Sequence, residues 1–267
     1  MNFGEYLACL GVAALLSNQP KPYTMGWAPH RFLLRGVGGT EIRDALTLLI
    51  SGTARVDERA TQAAKHDDAY PALHLVMADG SAMPLNHWLS PDFSGKSDWK
   101  LGAGKTNALT TVTRLCSSCS ALLRLESFTT ETMFQQGGDL VGGDASKLRF
   151  DAATNWSARD AGFSLNENDR FKSVRPWVEI LAALGLQYFF LPPADARHQA
   201  DARHRYHLWS GMLTPQLALA AVKGLIPQCT EAFEPVVLPN GKMKDVFTSL
   251  RVVHERQETC PPYLMVI

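Results

Sequence analysis

The run Gly102-Ala103-Gly104-Lys105-Thr106 ends as a nucleotide-binding P-loop ends, with glycine and lysine ahead of a hydroxyl. The full motif needs another glycine five positions before Gly104, where the chain has Trp99, and no hydrophobic strand leads into it. The nucleotide-hydrolase reading therefore fails. What survives is a glycine turn whose amide groups, beside Lys100 and Lys105, suit a nucleic-acid phosphate.

Cys116 and Cys119 have the spacing of half a zinc site. No second pair follows at suitable spacing, and Leu115, Leu122 and Leu123 set the cysteines in an apolar-periodic helix, so buried, reduced thiols are the expectation. His204 and His207, with His198 nearby, have the types for a metal. Alternation through Arg205-Tyr206-His207-Leu208-Trp209 instead places them on a strand that turns them relative to their neighbours. His66-Asp67-Asp68 has the histidine and aspartate of a metal-dependent phosphohydrolase without the further histidines, and reads as a solvated acidic loop. No serine sits in a nucleophile-elbow pattern. The expectation is no catalytic residue, no metal site and no cofactor.

Two basic clusters remain. Lys96, Lys100, Lys105 and Arg114 surround the glycine turn and enter the helix after it; Arg170, Lys172 and Arg175 lead into a second helix. Trp99, Trp156, Phe171 and Trp177 are interleaved with them and offer rings for base stacking or for arginine. These seven cations are the candidate nucleic-acid-binding residues.

Composition bounds the rest. The 267 residues are 46% hydrophobic, enough for a real core, and 26 basic against 26 acidic residues give a formal net charge of zero. Any nucleic-acid surface must therefore be local. Leu7 to Leu16 is far shorter than the roughly 20 apolar residues of a membrane span and lacks a basic flank, so no membrane and a cytoplasmic location are expected. Five cysteines spread over a long chain do not suit a disulfide framework.

The elements that must carry these residues follow from periodicity. Apolar residues from Phe3 to Leu16 predict a buried helix, stopped at Ser17-Asn18-Gln19-Pro20. Arg31 to Val37 predicts a strand, and Thr40 an N-cap for the helix bearing Ile42, Leu46 and Leu49. Leu73 to Met77, Asp79-Gly80 and Ala82 to Leu85 predict a hairpin. A helix is predicted over 106–125, a flexible glycine-rich loop near 135–146, and a helix bearing Pro176, capped at Ser173. Gln187 to Leu191 reads as a strand, Tyr206 to Trp209 as a strand, Pro215 to Leu225 as a helix, and the last part as further strands. The fold class is α+β, an antiparallel sheet with packed helices in one domain.

The opening Asn2-Phe3-Gly4-Glu5-Tyr6-Leu7-Ala8-Cys9-Leu10-Gly11 resembles that of small effector-complex proteins encoded in type I-U (I-G) CRISPR loci. The same pattern is similar to Pro84 to Trp88 after Asp79-Gly80, Trp99 to Gly104, Phe150-Asp151, Asp160 to Glu167, Arg175-Pro176, Glu179 to Gln187 and Tyr206 to Trp209, in that order. The chain departs from it at Asn86-His87-Trp88, where the family shows an acidic residue and paired tryptophans, and at Leu101-Gly102-Ala103, where the family shows a tryptophan-containing turn. The resemblance implies a non-catalytic subunit of a Cascade-type surveillance complex, with guide RNA, target DNA and other Cascade-type proteins as partners, as a reduced large subunit or a backbone subunit. By fold analogy it adds a ferredoxin-like core. The rivals are a metal-dependent nuclease using His66, Asp67 and His204, and a subunit making only protein contacts.

Overall fold

A computed structural model of the chain describes residues 3–17, 21–28, 31–58, 71–89, 107–141, 148, 150–151, 174–189, 206–235, 249–253 and 256–259. Helix α1 (Phe3–Leu16) is apolar all round, and every one of its residues is buried. A helix without a polar stripe has no face to give to water and must be enclosed. Its principal neighbour is α4 (Pro176–Tyr188), equally apolar and buried from Pro176 to Leu186.

The two helices cross at glycines. A methyl group added at Gly11 would lie within 3.0 Å of the Leu181 carbonyl oxygen, and one at Gly185 within 3.0 Å of the Leu7 carbonyl oxygen. Leu7 faces Gly185 and Gly11 faces Leu181, so the helices run antiparallel, and their backbones touch because neither glycine carries a Cβ.

Hairpin β1 (Thr24–Ala28) and β2 (Arg31–Arg35) covers another side of α1. There Tyr6 stacks on Trp27 at 5.1 Å between ring centroids, and its hydroxyl donates to the His207 carbonyl at 2.9 Å. Helix α2 (Gly39–Ser51) follows, and its N-cap is Gly38 rather than the predicted Thr40. The Glu41 carboxylate accepts the Gly38 N–H at 3.0 Å, so the helix starts where the acid can reach back.

Strands β3 (Thr53–Val56), β4 (Leu73–Val76) and β5 (Ala82–Leu85) form an antiparallel sheet in that order. The predicted Asp79-Gly80 turn joins β4 to β5, with Gly80 at φ +83°. Leu73, Leu75, Met83 and Leu85 are buried on one face, while Arg55, His74 and Pro84 share the other by the two-residue alternation of a strand. Helix α3 (Ala108–Leu123) packs on β3, α2 and α4, and is capped by Asn107, whose side chain accepts the Thr110 N–H at 3.0 Å. The described part of the glycine-rich loop holds two 3-10 turns, Met133–Gln135 and Gly138–Val141.

Strand β6 (Tyr206–Trp209), helix α5 (Pro215–Val222) and strands β7 (Cys229–Pro235), β8 (Ser249–Val253) and β9 (Arg256–Thr259) close the chain, the last sheet running β6-β7-β8-β9 antiparallel. The fold is α+β, with helices packed against antiparallel sheets. Gln187 and Tyr188 are the last residues of α4 and not the start of a strand, because α4 carries its apolar periodicity to that point. No helix among the described residues is long and apolar enough to cross a membrane.

Candidate functional site

The first turn of α4 holds the densest charge in the described interior. Arg175, its N-cap, donates from Nε and Nη2 to Asp151 Oδ1 at 2.9 and 2.6 Å, and from Nη1 to Glu5 Oε1 at 2.8 Å and the Phe134 carbonyl at 2.9 Å. The Arg175 backbone N–H donates to Asp151 Oδ2 at 2.9 Å, so this carboxylate also sits at the positive end of the helix. Glu179, one turn on and wholly buried, accepts the N–H groups of Leu148 and Phe150 on Oε2 at 2.6 and 3.3 Å, and that of Asp151 on Oε1 at 2.8 Å.

Three carboxylates and one guanidinium thus tie α1, α4, the 148–151 segment and the first 3-10 turn together. Burial pushes the Glu179 carboxyl up to about 7, and the charge of Asp151 adds to it; the three N–H donors pull the other way and lose. A carboxyl whose folded pKa lies above its unfolded one contributes stability that is complete below the unfolded value and disappears as pH rises through the folded one. From an unfolded value near 4.5 to about 7, Glu179 should contribute roughly 3 kcal/mol that is lost over that window. Urea unfolding of the wild type and of Glu179→Gln across pH 4.5 to 7.5 checks this. The stability difference between them should shift by that amount, and a difference independent of pH would mean that Glu179 ionises as an ordinary glutamate.

The cluster overturns the expectation for Arg175. Its side chain is 15% exposed and committed to Asp151, Glu5 and a carbonyl, so it presents no charge to a phosphate strand. Trp177 is fully buried and cannot stack on a base. Arg114 is exposed on α3, as a phosphate contact requires. Lys96, Lys100, Lys105, Arg170 and Lys172 lie outside the described residues, as do Trp99, Trp156, Phe171, His66, Asp67, His198 and His204.

Cys116 and Cys119 are both buried in α3, and burial pushes Cys116 up to about 12 and Cys119 well above the ordinary thiol range. Burial therefore disfavours the thiolate form of both. His207 sits on β6 with its Nδ1 3.2 Å from the Val222 carbonyl oxygen. Among the described residues no group of three or more histidine, cysteine, aspartate or glutamate side chains is arranged to hold a metal.

One open cleft borders α3. It has a volume of about 460 Å³ and lies between the outer side of α3, the end of α2 and the start of β3. Thr113, Ser117, Ser120 and Arg124 line its helical wall and Thr53 the other. Sequence reasoning missed it, although the signal is there: an amphipathic helix whose outward positions are hydroxyls and arginines without a carboxylate. It missed Glu5, Asp151 and Glu179 as well; an acid inside an otherwise apolar run is the mark of a buried partner.

No protein-family model matches the chain, and no curated protein matches it.

Proposed function

We propose that the chain is a non-catalytic, nucleic-acid-binding subunit of a CRISPR RNA-guided surveillance complex, holding the backbone of guide RNA or target DNA from the cytoplasmic side of the cell. The observation that carries this reading is the convergence of the strings that resemble the family. Glu5, Asp151, Arg175 and Glu179 come from four of them, and all four residues meet at one buried cluster. Asn86, from a fifth string, donates its N–H to Gln187 Oε1 at 3.0 Å. Strings up to 170 residues apart in the sequence are thus joined in one buried place.

The role suits the chemistry. Base pairing selects the target and a separate nuclease cuts, so such a subunit needs phosphate contacts and protein contacts without a nucleophile of its own. Arg114 on the exposed side of α3, following Lys100 and Lys105 in the sequence, contributes the local positive charge that a neutral chain otherwise lacks.

The test is double charge reversal, Lys100→Glu with Lys105→Glu, in the reconstituted complex. Target binding should weaken, and the slope of log affinity against log salt should fall by about 0.7 per lost contact on a single strand and about 0.9 on a duplex. Lys21→Glu with Lys65→Glu gives the same change in net charge; Lys21 is already paired with Glu41 at 2.8 Å. An equal loss in both double variants, or a wild-type slope in the first, would count against the reading.

A further inference from the structure

The cleft beside α3 combines a row of hydroxyls and one guanidinium with the apolar side chains of Ile50, Ala54, Cys116 and Ala121. Thr113, Ser117, Ser120 and Arg124 stand at i, i+4, i+7 and i+11, which at about 100° per residue puts all four within an arc of about 60° along one side of the helix. Among the described residues Arg124 is the only charged one lining the cleft. The stripe is about 16 Å long at 1.5 Å per residue, long enough to follow an extended chain rather than seat a single ion. Across it, Thr53 adds a further hydroxyl.

We propose that this cleft holds the phosphodiester backbone of a nucleic-acid strand, with Arg124 as the charged partner and Thr113, Ser117 and Ser120 as hydroxyl donors. The proposal rests on the nucleic-acid reading above and deepens it, because it names where on the described surface the strand runs. Arginine, serine and threonine are the side chains that contact phosphate oxygens without reading sequence, as a guide-holding subunit requires. An extended peptide laid along β3 would use the apolar part of the lining, Ile50, Ala54, Cys116 and Ala121, and would leave the guanidinium and the row of hydroxyls unused.

The experiment uses the full chain with two fluorescent probes, an oligo-uridylate of about 20 nucleotides and a DNA duplex of about 20 base pairs, followed by anisotropy across salt concentrations. Arg124→Ala should weaken binding about five-fold at 0.1 M salt and lower the salt slope by about 0.7 with the single strand or about 0.9 with the duplex, and the probe that the wild type binds more tightly tells the two sources apart. Arg31→Ala, at an exposed position of β2 that does not line the cleft, should leave both unchanged. Ser117→Cys gives an independent readout: saturating probe should slow alkylation at position 117, followed by mass spectrometry, at least five-fold. Wild-type binding with an undiminished slope in Arg124→Ala, or with alkylation at 117 indifferent to probe, overturns the cleft and leaves the nucleic-acid reading standing. No binding of either probe by the wild type overturns the reading and the cleft together.

Discussion

Gly11→Ala is expected to leave little folded protein, at a cost of about 4 kcal/mol or more, the range reached when a core contact cannot relax. The added methyl group would meet the carbonyl of Leu181, a backbone atom in the middle of a buried helix, and not the end of a flexible side chain. Relief requires α1 and α4 to move apart, and both are buried along nearly their whole length, so every contact between them loosens together. Gly185→Ala should cost as much for the reciprocal reason, at the carbonyl of Leu7. Once one methyl group has parted the helices the second adds little, so the double variant should be less damaging than the sum of the singles. Gly39→Ala is the control, since its methyl group meets only the Thr130 hydroxyl oxygen, at 3.4 Å. Urea midpoints and soluble yield measure all four proteins. A Gly11→Ala protein within about 1 kcal/mol of wild type would show that the helices do not cross at backbone contact.

Arg175→Met should destabilise by about 3–5 kcal/mol, because it leaves Asp151 and Glu5 as buried charges without the guanidinium that holds them. The loss is one of compensation and not of packing, so it should shrink at low pH, where the carboxyls take up protons. It should shrink again when Asp151→Asn and Glu5→Gln are added, since neutral amides cost less to bury than charges. This outcome separates the buried role from the surface role that the basic run Arg170, Lys172, Arg175 suggests. A surface contact would give a fully stable variant with a reduced salt slope in nucleic-acid binding.

Arg175 also shows where a linear reading stops. Within its neighbourhood it is one of three cations leading into a helix, and nothing local distinguishes it from Lys172. Its partners stand 24 and 170 residues earlier, and only the folded chain brings them together. Helices α1 and α4 were legible because apolar residues recur without a gap, and the β4-β5 hairpin because Asp79-Gly80 demands a turn. The same lack of a gap hides which side of each helix meets which neighbour, so the glycine crossing could not be read. Strand β1 went unread because Thr24-Met25-Gly26-Trp27-Ala28 has a glycine and an alanine where alternation would need larger side chains. On α3 the inward face was legible from its leucines and cysteines, whereas the cleft needs β3 and the end of α2 to supply its second wall.

The antiparallel crossing of α1 with α4 has a consequence for synthesis. Leu181 follows Gly11 by 170 residues (181 − 11), and the two must touch for either helix to be enclosed. At about 5–20 residues per second, α1 has been made for roughly 10 to 30 s before its partner emerges. During that interval an apolar helix without a polar side is exposed to whatever else is nearby. A contact between such distant residues also slows closure, since the loop entropy is lost before any packing is gained. Nascent chains that stop short of α4 are therefore the species on which chaperones should act most, and the protein should depend on them more than its size alone would suggest.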